Sequence, residues 1–217
     1  MKIHDVQQRT PEWFAVRRGI ITASEVGKFL INKDAKSLKA RQSLIDKKLG
    51  EMADGEDTEP SYENYWMRRG SELEPVSVEA YELATEDLVY HVGFCQHDTL
   101  PIGCSPDGLV VGKERGIEGK AVKGSTQIER LREDALPEEY LCQVHHSMIV
   151  TGFEEWDFWS FHPGLPNLLK RVRRNSFTDD LQAGLIAICE EYAKQKAWIR
   201  DLWEEQMRTP TTEGAGA

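Results

Sequence analysis

Asp107, Glu118 and Lys120 are the residues of this chain whose types and spacing could do chemistry together. They share one segment, GCSPDGLVVGKERGIEGKAVK, from Gly103 to Lys123. Pro106 precedes Asp107 at what reads as a strand boundary. Only Gly119 separates Glu118 from Lys120, and alternate residues of a strand face the same side, so the two side chains point together. If Gly108–Val111 and Gly116–Val122 form a hairpin around GKER, Asp107 comes near Glu118. Two carboxylates and a backbone carbonyl make an oxygen-rich site suited to Mg²⁺ or Mn²⁺. An adjacent ammonium can orient or help deprotonate an attacking water, and can stabilise charge on a phosphate. Each piece also has an ordinary reading: Pro-Asp-Gly as a turn, Glu-x-Lys as a solvated strand face.

Positioning such a set takes a sheet with helices around it, and the flanking pattern reads that way. Leu88–Phe94, Ile102–Ser105, Gly108–Val111 and Gly116–Val122 are short runs parted by Gly and Pro, and Trp156–Phe161 is aromatic and strand-like. One helix is expected over Pro11–Arg18, with Thr10 as cap and Gly19 as stop, and a second from Thr22, where Thr22 and Glu25 have capping-box spacing. Others fit Leu38–Met52, Tyr62–Leu83 with a kink or break at Pro75, Thr126–Glu133, Glu138–Val150 and Asp179–Met207 capped by Thr178. EMADGEDTEP reads as a polar loop. Helices at both ends around central strands indicate an α/β domain with a mixed sheet. No internal repeat is present, so the reading is one domain over 1–207 and a flexible tail over 208–217.

Composition bounds the function classes. The chain has 217 residues, 40% hydrophobic and 29% charged, which is ordinary for a globular protein. No apolar run approaches ~20 residues, so no membrane span is expected. The opening MKIHDVQQRT does not read as a signal peptide. Cys95, Cys104, Cys142 and Cys189 show no CxxC pattern and read as reduced thiols of a cytoplasmic protein, not as an iron–sulfur or structural zinc site. The 27 Lys and Arg against 37 Asp and Glu leave a net charge of −10, which taken alone speaks against a polyanionic partner. A protein that encloses DNA needs a basic lining only, and an acidic exterior discourages binding elsewhere.

Four blocks, EWFAVRRGIITASEV, RRGSELEPVSVEAYE, GCSPDGLV with IEGK, and CQVHHSMIVTG, occur in this order between Glu12 and Gly152. In order and spacing the chain resembles the PD-(D/E)xK nucleases, and within them the phage recombination exonucleases typified by that of bacteriophage lambda. The resemblance implies a restriction-endonuclease-like α/β fold and Mg²⁺-dependent degradation of one strand of linear double-stranded DNA from a 5′ end, leaving a 3′ single-stranded overhang. It makes Asp107 and Glu118 ligands of two Mg²⁺ ions (Mn²⁺ as an alternative), with the Gly119 carbonyl, and Lys120 the catalytic lysine. Glu74 becomes the upstream acid, and Gln143 completes the cluster near the nucleophile. Glu74 could equally be a solvated helical acid like Glu72 and Glu79, and Gln143 a core-edge glutamine. At Gly119 the chain departs from the family, which usually has a bulky apolar residue there; Gly weakens a strand and puts local sheet packing in doubt.

The resemblance also implies that Arg17, Ser24 and Ser105 hold the terminal 5′-phosphate, with unpaired N–H groups at the helix start near Thr22. The plain alternative is that Arg17 pairs with Glu12 or Glu25. Met67 matches the apolar wedge at the duplex end, although a helical Met is more often core. KRVRRN, from Lys170 to Asn175, reads as a phosphate-contacting strip or a solvated loop, and Lys28, Lys33, Lys36, Lys39 and Arg41 pose the same choice. His145 and His146 face different sides of a helix and read as partly buried polar residues, not zinc ligands. A homotrimeric ring, a single-strand annealing recombinase as partner, and a phage or prophage origin within a bacterial host are further implications of the resemblance. An endonuclease on the same fold and a non-catalytic DNA-binding or assembly protein are the competing readings. The first would nick closed circles; the second has no chemical need for the Asp107–Glu118–Lys120 set.

Overall fold

The computed structural model describes residues 1–55 and 65–208. Strand β1 (Lys2–His4) leads into helix α1 (Pro11–Arg17), which starts as its residue types require. The Thr10 hydroxyl accepts from the Trp13 N–H at 3.4 Å, and Pro11 fills a first-turn position where no N–H is needed. Gly19, at φ 69°, turns the chain into β2 (Ile21–Thr22). The helix expected from Thr22 is not there. Thr22 and Glu25 do bond, N–H and hydroxyl both donating to Glu25 Oε2 at 2.9 and 2.8 Å, but they close only a three-residue 3-10 turn. Gly27 then reopens the chain into extended backbone before a second short turn at Lys28–Leu30.

Helix α2 (Ala35–Asp54) begins at the Asp34 cap and extends through the first residues of EMADGEDTEP; 56–60 of that expected loop lie outside the described residues. Helix α3 (Tyr65–Thr85) is one helix through Pro75, so of the expected kink or break the break is not there. The expected strand over Leu88–Phe94 divides into β3 (Val89–Tyr90) and the start of β4 (Phe94–Gln96). Then come β5 (Ile102–Cys104), β6 (Gly108–Val110), β7 (Arg115–Ala121), α4 (Gly124–Glu133), α5 (Glu138–Thr151), β8 (Glu155–Phe161), β9 (Leu168–Arg173) and α6 (Ser176–Arg208). Helix α6 includes Arg208, with which the expected tail began; the rest of that tail lies outside the described residues. No helix among the described residues is long and apolar enough to cross a membrane.

The strands form two mixed sheets, in the orders β1-β4-β5-β2 and β3-β6-β7-β8-β9. In the larger one β7 and β8 are parallel and the other pairs antiparallel. Two hydrophobic cores lie against it. Tyr81 of α3 packs with Val110, Ile117, Trp159 and Phe161 on one face. Val144 and Met148 of α5 pack with Leu109, Trp156 and residues of α2 and α6 on the other. Gly116 is needed for this second face, because a Cβ there would sit 2.3 Å from the Trp156 ring. The mixed α/β architecture is restriction-endonuclease-like, with helices flanking the sheets.

The KRVRRN run is mostly strand, and its cations are engaged by acids of the chain itself. Lys170 pairs with Asp134, Arg171 with Asp157, Arg173 with Glu155 and Arg174 with Glu154. Arg41 donates to the carbonyls of Phe29, Leu30 and Asn32, closing the second short turn, and Lys28 pairs with Glu138.

Both α5 histidines are buried. His145 Nδ1 lies 2.8 Å from the Thr178 hydroxyl, and His146 Nε2 lies 3.0 Å from the Gly103 carbonyl. Nε2 of His146 must donate, and its Nδ1 is buried without a partner. Burial therefore pushes the His146 imidazole down to about 4. An unfolded chain takes up this proton near the ordinary value of 6.5, and the folded one does not until about 4. Stability is thus unaffected above 6.5, falls as pH drops between these values, and levels off below them; the full loss is on the order of 3 kcal/mol. Denaturant titrations from pH 7 to 4.5 should show a smaller decline for His146→Gln, which can still donate to Gly103, than for the wild type. Parallel declines would contradict the assignment.

Candidate active site

The candidate site forms where β6 ends and β7 continues. The register pairs Gly108 with Ile117, and the Asp107 N–H still donates to the Ile117 carbonyl at 3.2 Å. Beyond that point β7 has lost its neighbour on this side. Its next N–H, that of Gly119, is taken by Asp107 Oδ2 at 2.6 Å. A strand residue's N–H and C=O point to the same side, so the Gly119 carbonyl also faces the Asp107 edge. The strand runs on through Gly119, which stays in register with Trp159, and a Cβ there would sit 3.6 Å from Asp107, an ordinary contact.

Glu118 and Lys120 project from the same side of β7, as strand alternation requires, and form an ion pair. Glu118 is 3% exposed. Burial raises its carboxyl to about 7, with Asp107 adding to the rise while Lys120 and a hydrogen bond from Gln143 of α5 oppose it. Burial lowers the Lys120 ammonium, but Glu118 and Asp107 outweigh that and hold it above the ordinary lysine range. The Tyr140 ring of α5 lies 5.5 Å from Lys120 Nζ.

Glu74 reaches the site from α3, whose docking is fixed by polar contacts within an apolar interface. Tyr81 Oη donates to buried Asp157 at 2.7 Å, and the Trp159 indole donates to the Ser77 carbonyl at 3.0 Å. Residues 74, 77 and 81 share one helical face, so fixing two of them aims the third. Glu74, Asp107, Gly119 and Lys120 line a cleft of roughly 320 Å³ with Arg9, Ser77 and Tyr81. Burial and the Asp107 charge raise the Glu74 carboxyl; Arg9, His91 and Lys120 oppose the rise.

The oxygen set fits one type of cation. Among the described residues no three His, Cys, Asp or Glu side chains converge as a metal cage. Two carboxylates and a carbonyl instead suit Mg²⁺ or Mn²⁺, which are commonly held by one or two carboxylates, with substrate phosphates and water completing the shell. Asp107, Glu118 and the Gly119 carbonyl are the groups that could hold it, and a cation would relieve the crowding of Glu118 and Glu74 against Asp107.

A second cluster lies on α1. The Arg17 guanidinium stacks 3.6 Å from the Trp13 ring centroid and makes a long contact, 3.5 Å, to the Thr22 hydroxyl. The same indole donates to Ser105 Oγ at 3.0 Å and to the Gly93 carbonyl at 3.0 Å, so Trp13 joins Arg17 to Ser105. Glu25, one acid expected to pair with Arg17, is held by Lys47 and Lys48. Ser24 is exposed on the three-residue turn Ala23–Glu25, and the helix expected to start at Thr22 and present its N–H groups there is absent. Met67 lies in the first turn of α3, and its side chain is outside the described residues. Sequence reasoning did not single out Trp13, although its i, i+4 spacing to Arg17 on a helix was an available signal.

The YqaJ-like viral recombinase domain matches residues 12–154. Among solved structures, the chain is similar to an alkaline exonuclease, LHK-Exo, from Laribacter hongkongensis, at 29% identity and a TM-score of 0.77, covering 91% of this chain and 100% of that one. LHK-Exo in complex with dAMP matches at 30% identity and a TM-score of 0.76 over the same shares. A phage-related exonuclease from Haemophilus somnus 129PT shares the fold, at 14% identity and a TM-score of 0.61 over 84% of this chain and 96% of that one. None of the curated proteins matches significantly.

Cation binding to the folded chain must raise its melting point, because ligation to the native state alone stabilises it by about 2.7 kcal/mol at a hundredfold excess over Kd. Mn²⁺ or Mg²⁺ should therefore shift the thermal transition of the wild type upward by several degrees, while Asp107→Ala and Glu118→Ala lose most of the shift. Equal shifts in all three proteins would remove these residues from the cation site.

Proposed function

The chain belongs to the YqaJ-like viral recombinase domain family, whose structural relatives are exonucleases, and from that premise we propose that it degrades one strand of linear double-stranded DNA in the 5′-to-3′ direction and leaves a 3′ overhang. A nuclease role in phage-type recombination follows from the family; direction, metal and end preference are our reading. The observation that carries it is the convergence of Asp107, Glu118 and Lys120 at the free edge of β7. Asp107, Glu118 and the Gly119 carbonyl would hold two Mg²⁺ ions, which supply Lewis acidity toward the phosphate and acidify bound water. Lys120 donates to the attacking water or to a nonbridging phosphate oxygen. Gln143 fixes the Glu118 carboxylate, and Glu74 lines the same cleft as Asp107 and Lys120. Hydrolysis adds water across one phosphodiester bond. The complex of LHK-Exo with dAMP supports a product of nucleotide size.

Arg17, Ser24 and Ser105 form the 5′-phosphate site in this reading, and the indole that links Arg17 to Ser105 supports it. Stacking on Trp13 pre-orients the guanidinium fork for a phosphate. Met67 remains the wedge candidate. We further propose a homotrimeric ring, which would retain DNA by topology, and a single-strand annealing recombinase as partner. Such a chain would work in the cytoplasm of a bacterial host.

Asp107→Ala and Lys120→Ala should abolish cleavage of linear duplex in Mg²⁺ while duplex binding in Ca²⁺ persists, since many phosphate contacts position DNA but few groups do the chemistry. Closed circular DNA should survive the wild type; nicked circles would favour the endonuclease reading. An inert wild type on every substrate would favour a non-catalytic DNA-binding protein.

Wild type should also digest a 5′-phosphorylated end faster than a 5′-hydroxyl end. Arg17→Ala should slow the phosphorylated end by ten- to a hundredfold, on the order of a charge-assisted hydrogen bond, and the hydroxyl end little. Equal slowing at both ends, together with a lower melting temperature, would mean that Arg17 only supports the fold.

A further inference from the structure

Arg9 holds a backbone conformation that its residue type disfavours. Its φ is 66°, in the left-handed region where residues other than Gly, Asn and Asp are uncommon. The other described non-glycine residues at positive φ, Glu86 and Asp134, come after the C-terminal ends of α3 and α4, where that conformation commonly closes a helix. Arg9 instead precedes a helix, directly before the Thr10 cap. Both neighbours hold it there. Gln8 Nε2 donates to the carbonyls of Val92 at 3.3 Å and Pro106 at 3.1 Å, and the Thr10 hydroxyl donates to the Gln7 carbonyl at 2.8 Å. Pro106 immediately precedes Asp107, so the strained turn is tied to the segment that carries a candidate cation ligand. Strained backbone persists only where the surroundings over-determine it, and such positions cluster at functional sites.

The turn sends the Arg9 side chain into the lining of the cleft that holds Glu74, Asp107, Gly119 and Lys120, although the residue itself is exposed. Among the described residues the lining carries two cations, Arg9 and Lys120. A phosphodiester strand entering past two carboxylates needs positive charge at the entrance, and a guanidinium offers a planar pair of donors matched to phosphate oxygens. We propose that Arg9 is a phosphate-contacting residue of the cleft, gripping a nonbridging oxygen of the strand as it passes Lys120, and that its left-handed turn serves to aim it there. This rests on the exonuclease reading above.

The test uses the full chain as wild type, Arg9→Gly and Arg9→Lys. Glycine suits φ 66° better than arginine, so Arg9→Gly relieves the strain as it deletes the contact. It should melt within a few degrees of the wild type, or higher, yet cleave linear duplex ten- to a hundredfold more slowly at saturating Mg²⁺. In Ca²⁺, the slope of log K for DNA against log salt should fall by about 0.7–0.9, the loss of one phosphate contact. Arg9→Lys keeps the charge without the fork and should fall between the two in rate. Wild-type rates in Arg9→Gly would overturn the proposal. So would slower cleavage with a depressed melting temperature and an unchanged salt slope, which marks a structural residue. A wild type that leaves linear duplex intact would instead defeat the exonuclease reading on which the proposal stands.

Discussion

One backbone amide organises the cleft. β7 outruns β6, and the first N–H left without a strand partner, that of Gly119, is captured by the Asp107 carboxylate. An unpaired amide within a sheet is costly, and a carboxylate that satisfies it makes a short, charge-assisted bond. That single contact ties the turn after β5 to the middle of β7. Strand alternation then sets Glu118 and Lys120 on one side, and the free edge exposes the Gly119 carbonyl. Replace Asp107 with a residue that cannot accept, and the amide is orphaned while one carboxylate leaves the site.

The sheet beneath is held by a buried ionic network centred on Asp157. Asp157, with no exposure, accepts from Tyr81, from Arg115 at 3.2 Å and from both Nε and Nη2 of Arg171. Arg115 reaches on to Asp87 at 3.2 Å. A buried carboxylate with three partners tolerates little displacement, because losing one leaves charge uncompensated in low dielectric. The network joins β7, β8, β9 and α3, the elements that deliver Lys120 and Glu74. It also accounts for Arg171 of the KRVRRN run, which with Arg115 serves the fold.

Legibility tracked the range of the interactions involved. The Thr10 cap, the β7 alternation of Glu118 and Lys120, and the placing of Asp107 beside them rest on local rules and were readable from the chain. The capping box at Thr22 and Glu25 was readable as a bond but not as a helix, because Gly27 and the cation pair of Lys47 and Lys48 set the course of the chain beyond it. β9 was hidden because its cations are neutralised by acids distant in sequence, such as Asp134 and Asp157. The strain at Arg9 and the bond from the Trp13 indole to Ser105 depend on tertiary contacts that no spacing rule encodes. Sites of convergence were therefore legible as residue types, while their supports were not.

We propose that this free strand edge hydrolyses DNA from a 5′ end. The direct measurement is Mg²⁺-started digestion of a linear duplex carrying different labels at the 5′ and 3′ ends of each strand. Early release of the 5′ label on a mononucleotide, 3′ labels retained on long strands, and no reaction in EDTA are expected. Release of the 3′ label first, internal cuts, or undiminished digestion in EDTA would contradict this proposal.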